Sequence, residues 1–218
     1  ALTVLKDFRF ILMIVIYSGF WIMYFQMFDT VLWYLRDYVS MAPVDAFVNS
    51  ALSTVGLKPS FKFDVEHVTV INAGTIIALQ LVVAFLVKKA RPLPTMILGI
   101  CLGVLGFVLL AISENPLVFI AGIIIFSLGE MTAHPKYISY VGQIAPEDKK
   151  ATYMGYAFLY GVIGSSIGGI LGAKLYSHFV DALHRPRTLW LIFASIGVAT
   201  VLGLLGFDRF VARPAKTV

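Results

Sequence analysis

The sequence predicts an all-α polytopic membrane protein with six transmembrane helices, and three observations carry that prediction. Of 218 residues, 59% are hydrophobic and only 13% are charged, whereas soluble domains carry about 25% charged residues. Six apolar stretches are each long enough to cross a hydrocarbon core, which takes about 20 helical residues. The connections between most of them are short, charged and proline-bearing, as helix punctuation should be.

The first stretch, near 10–35, follows ALTVLKDFRF directly and reads as a long apolar helix rather than a signal peptide. The chain opens on Ala rather than Met, as expected of a piece of a longer protein. The second and third stretches, near 68–87 and 95–113, are separated by Lys88, Lys89, Arg91, Pro92 and Pro94. Ser113, Glu114, Asn115 and Pro116 make a tight turn into the fourth, near 116–143. Ala145 to Lys150 lead into the fifth, near 151–179, and His184 to Arg187 precede the sixth, near 189–208. The long connection, 37–66, is expected to lie outside on the membrane surface. There Pro43 can open a short amphipathic helix with Phe47, Ala51, Leu52 and Val55 on one side.

Charge sets the orientation. Lys6, Arg9, Lys88, Lys89, Arg91, Lys149, Lys150, Arg209, Arg213 and Lys216 fall on one side, and Arg36, Lys58, Lys62, Arg185 and Arg187 on the other. The positive-inside rule then places both termini in the cytoplasm, in a plasma or inner membrane. A basic protein can be a nucleic-acid binder, but here the basic residues sit mostly at the ends of apolar segments, so no nucleic-acid partner is expected. Cys101 is the only cysteine, so no intrachain disulfide forms. No HExxH and no Cys/His cluster has metal-ligand spacing, so neither a metal nor a cofactor is expected.

Polar residues inside the spans mark the candidate site. A charged side chain at mid-bilayer costs about 2.5–3.5 kcal/mol on insertion scales, so one that is present normally faces a cavity or a partner. Glu130 is such a residue. Glu130, His134 and Tyr137 recur at intervals of four and three, making one polar stripe on the fourth span. Glu130 and His134 are candidates for a coupled proton-binding pair, the alternative being a salt bridge that only fixes helix register. Pro135 cannot donate to the Met131 carbonyl and should bend the helix there. Lys136 points away from Glu130. The first span adds Trp21, Tyr24, Gln26 and Asp29; Gln26 and Asp29 share a face, with Asp29 either lining the cavity or meeting water at the headgroups. In the second span Asn72 is either interhelical glue or a ligand contact.

Small residues predict close packing. Gly164, Gly168 and Gly172 form one row on the fifth span, while Gly161, Ser165, Gly169 and Ala173 form another. Gly99, Gly103 and Gly106 give the third span a similar face. The GSSIGG run also raises an intramembrane serine protease, but such a serine needs a base within hydrogen-bond reach. His178 and His184 fall near or in a loop, and the sixth span has no histidine.

The chain resembles the C-terminal six-helix half of a major facilitator superfamily transporter, and most resembles the proton-coupled oligopeptide transporter family. The motif-bearing residues are Gly129-Glu130, Pro135, Ser139, Ala145-Pro146 and the basic residues after them, Met154-Gly155 and Phe158-Leu159. Phe20-Trp21, Gln26 five after the tryptophan, and Asn72 add to them. The resemblance implies a proton-coupled symporter of small peptides or similar solutes working by alternating access, and not an enzyme. Glu130 would receive the peptide amino terminus or the proton, tuned by His134. Trp21, Tyr24, Gln26, Asn72, Tyr137 and Ser139 would line the cavity, and Asp29 would aid proton coupling. It also implies an amino-terminal six-helix bundle as partner, absent from these residues. Phe25 stands where the family carries an acid, Ala157 stands where it carries a tryptophan, and His134 and Lys136 depart from its motif. Two alternatives are a carrier of another solute such as a sugar, nucleoside or drug, and a non-transporting scaffold or receptor.

Overall fold

The computed structural model describes residues 4–212. Arg213 and Lys216, two of the charges used for orientation, lie outside them. Among the described residues six helical units are long and apolar enough to cross a membrane, so this is an all-helical membrane-spanning bundle. Nine α-helices build it among the described residues: α1 (Phe8–Gln26), α2 (Thr30–Tyr38), α3 (Ala42–Thr54), α4 (His67–Val87), α5 (Pro92–Ile112), α6 (Pro116–Ile144), α7 (Lys150–Ala157), α8 (Leu159–Tyr176) and α9 (Pro186–Phe210).

Local chemistry explains the helix starts. Proline opens α3, α5, α6 and α9, where its missing N–H is harmless. Asp7 caps α1 by accepting from the backbone N–H groups of Arg9 and Phe10 at 3.0 and 3.3 Å. Its second oxygen accepts from the Tyr153 hydroxyl at 2.8 Å, which ties the start of α1 to α7. Asn115 caps α6 through Leu117 N at 2.9 Å. Gly56, at φ +77°, turns the chain out of α3.

Two expected spans are composite. The first breaks over residues 27–29 into α1 and α2, with no proline or glycine at the break. At the break the backbone N–H groups of Met27, Phe28 and Asp29 turn to the carbonyls three residues back, at 3.0, 3.1 and 3.3 Å, and Gln26, the last residue of α1, also donates from Nε2 to the Ile22 carbonyl at 3.1 Å. The fifth span consists of α7, α8 and a six-residue π-helical turn, Ser177–Ala182. By contrast α6 is assigned as one helix of 29 residues with Pro135 inside it. The connection 37–66 holds α3, as expected, but Phe47 and Val55 on its apolar side are exposed, and Val44 is the residue it buries.

Glycine sets the packing. A Cβ at Gly99 would lie 2.7 Å from the Gly129 carbonyl oxygen and 2.7 Å from Ala133 N. One at Gly106 would lie 2.8 Å from the Gly122 carbonyl oxygen, so α5 and α6 touch backbone to backbone. On its other side α5 packs on α9, and α1 bridges α8 and α9. Gly164 accepts Trp21, while Gly168 and Gly172 accept Gln26. The second row on α8 stays open: nothing lies within 4 Å of a Cβ at Gly161 or Gly169. Of the helices long enough to span a membrane, α4 is the loosest, burying only Val68 and Asn72, with α6 as its main contact.

Candidate functional site

The polar centre forms where α1, α4 and α6 meet. Asn72 of α4 is buried, and its Nδ2 donates to Ser127 Oγ at 2.8 Å and to Glu130 Oε2 at 3.3 Å. Ser127 is held in turn by donating to the Ile123 carbonyl at 2.8 Å. Tyr24 of α1 lies beside the same carboxyl. Glu130 is half-buried, so one side of it is engaged by neighbouring helices and the other is open. A carboxylate held by neutral donors keeps its charge unspent, and an open face lets it meet a cation or a proton. Ser127 did not stand out in the sequence, although it lies three residues before Glu130 and therefore on the same helix face.

Aromatic rings wall this centre. Trp21 packs against Tyr24 at 4.5 Å and Tyr160 at 4.6 Å between ring centroids. His134 meets the edges of Trp21 at 5.4 Å and Tyr160 at 5.8 Å. Tyr17 stacks on Tyr137 at 4.1 Å and meets Tyr160 at 5.2 Å. Within this cluster the Tyr17 hydroxyl, Trp21 Nε1 and His134 Nδ1 are buried without a hydrogen-bond partner among the described residues. Tyr160 belongs to the wall and was missed; a tyrosine before a glycine row gives no signal of its direction.

The predicted residues therefore divide. Glu130, Asn72, Tyr24, Trp21 and His134 come together. No ion pair joins Glu130 to His134 among the described residues, which removes the register-fixing salt bridge; His134 belongs to the aromatic wall. Gln26 is fully buried and points into α8: Nε2 donates to the Gly168 carbonyl at 3.0 Å, and Oε1 accepts from Thr30 at 3.1 Å. Tyr137 is also fully buried, its hydroxyl donating to the Ala157 carbonyl at 2.8 Å. Both are packing elements of this bundle, where cavity lining was expected, because their polar atoms are consumed by backbone carbonyls. Ser139 is exposed; nine residues after Glu130, it lies about 180° around the helix from it. Asp29 is half-buried at the α1–α2 break and makes no capping bond, so it does not share a helix face with Gln26.

Hydrolytic chemistry finds no constellation here. Ser165 Oγ donates to the Val162 carbonyl at 3.2 Å, its only hydrogen bond among the described residues. No group of three or more metal-ligating side chains occurs among the described residues.

A six-span helical bundle with a half-buried carboxyl bonded by an amide of a neighbouring helix defines an integral membrane protein with a polar centre. The major facilitator superfamily model matches residues 10–217, and the chain belongs to that superfamily. It is 28% identical over 134 residues to the MFS-type transporter YttB of Bacillus subtilis, covering 61% of this chain and 33% of that protein. It is 27% identical over 106 residues to the multidrug resistance protein MdtH of Escherichia coli O157:H7, covering 45% of this chain and 26% of that one. The fold matches the crystal structure of a POT family transporter in complex with a thioalcohol-conjugated peptide, with a TM-score of 0.73 and 16% identity. That match covers 94% of this chain and 41% of the transporter. The chain thus spans about a third of the length of the curated relatives it matches.

Proposed function

We propose that this chain is the C-terminal half of a proton-driven secondary transporter that carries small peptides or peptide-like amines by alternating access. The observation that supports it is Glu130, bonded by Asn72 of α4 with Tyr24 of α1 beside it and only half-buried. An ionised carboxylate there attracts an ammonium group, and protonation cancels the attraction. Binding and release thereby follow the proton. Trp21, Tyr24 and Tyr160 form the wall beside the acid, where their ring faces favour a cation. His134 shapes that wall, and Asp29, without a capping bond, is the second group available to the proton route.

Carriers of this type bind near the midplane between two bundles, which rock around the site. An amino-terminal six-helix bundle is therefore the partner we assign, with both termini in the cytoplasm. The multidrug resistance protein among the relatives supports a second reading, in which the cargo is a lipophilic organic cation. Both use the same acid.

The test is Glu130→Gln in the complete protein reconstituted in liposomes, assayed for dialanine uptake under an inward proton gradient and for tetraphenylphosphonium movement. The peptide reading expects driven dialanine uptake that falls at least about tenfold in the variant; the organic-cation reading expects that loss for tetraphenylphosphonium instead. Unchanged driven flux of both would remove Glu130 from the mechanism.

A further inference from the structure

Lys136 is a buried cation that the binding chemistry leaves unused. It sits on α6 one residue after Pro135 and is 8% exposed. Its Nζ donates to the Ala90 carbonyl at 2.8 Å and reaches the Lys88 carbonyl at 3.5 Å. No carboxylate pairs with it among the described residues. Those carbonyls belong to the turn that closes α4, whose own Lys88 and Lys89 donate to neither of them among the described residues. A helix C-terminus presents unsatisfied carbonyls and the negative end of the macrodipole, so it favours a cation. Lys136 thus ties the turn after α4 from a different helix, with its shorter bond to Ala90 and a longer one to the C-cap carbonyl of Lys88.

The surroundings give this contact its consequence. Helices α5 and α6 are locked backbone to backbone through Gly99, Gly129, Gly106 and Gly122. Helix α4 has no such lock, and the side-chain hydrogen bonds that hold it to α6 lie near its two ends: Asn72 at the acid and Lys136 at the cytoplasmic turn. The other tie on that turn, Arg91 to Asp208 at 3.7 Å, is largely exposed on the arginine side and correspondingly weak.

We propose that Lys136 is a positioning residue, the pivot that fixes the cytoplasmic end of α4 on the α5–α6 pair. The Asn72 end of α4 then answers to the state of Glu130 while the other end stays put. The coupling part of this rests on the transport reading above; the pivot itself does not.

The experiment uses the complete protein with Cys101→Ser. Spin labels at Lys89→Cys and Arg209→Cys report the turn against α9, and labels at Leu105→Cys and Leu202→Cys report α5 against α9 as a control. In Lys136→Met the first distance distribution should broaden about twofold while the control pair stays narrow, and Lys136→Arg, which keeps the donors and the charge, should restore it. If Lys136→Met is not recovered as monodisperse protein, Lys136→Gln takes its place with the same expectation. A narrow first distribution in that variant, or equal broadening of both pairs, overturns the pivot. Driven dialanine uptake adds the coupling test: Lys136→Met should lower the maximal rate about tenfold with half-saturation changed by less than about twofold. A rise in half-saturation with the maximal rate kept would overturn the coupling role and leave the pivot to the distances, which need no cargo.

Discussion

Gln26 shows how much one side chain can organise. It ends α1, bonds Thr30 across the break that follows and seats that point of the span on the glycines of α8. Replacing it with Leu removes the donor to the Gly168 carbonyl and crowds a surface that fits a flat amide. The expected cost is about 1–3 kcal/mol, read as a lowered unfolding temperature in detergent. Tyr137→Phe loses one buried bond to the Ala157 carbonyl and should cost about 1 kcal/mol in the same measurement. Residue type made Glu130 and Asn72 legible, since an acid or amide in a span demands a partner. Type did not separate Gln26 and Tyr137 from Glu130 and Asn72, because a buried amide or phenol looks the same in sequence whether a backbone carbonyl or a ligand completes it. Only the approach of α8 to α1, and of α7 to α6, decides.

At the scale of the helix, spacing announced close packing but not its direction. The two small-residue rows on α8 are alike in sequence, yet one receives Trp21 and Gln26 while the other lies open. Gly161→Ala should therefore be neutral or stabilise by up to about 1 kcal/mol, as helix propensity gives. Gly129→Leu should destabilise by about 1–3 kcal/mol or more, because a Cβ there would lie 2.5 Å from the Gly99 carbonyl oxygen. Comparing the unfolding temperatures of the two variants checks this; equal losses would contradict the packing described. The break at 27–29 was not legible, since no proline or glycine marks it. The proline-opened helices were legible, because each start signal is local.

For the whole molecule, hydropathy and length gave the six spans, since a bilayer imposes its thickness on any sequence that crosses it. What length cannot give is which faces are covered. Helix α4 buries two residues and much of α8 is exposed, so the bundle offers extended surface to whatever lies beside it. On the reading proposed, these 218 residues alone should show no saturable dialanine uptake in liposomes, and saturable uptake would overturn the assignment as half a carrier. Tags at the two ends should report the same side of the membrane, checked by impermeant labelling of intact cells.

Glu130 follows directly in sequence on Gly129, the residue whose backbone abuts α5. Side chains act as cushions between most helices, yielding by rotamer before the axes shift. Here there is no cushion. Any displacement of the main chain that carries the acid must be handed on whole to the neighbouring helix, so the two travel as a single rod and an event at one carboxyl is felt along the length of both.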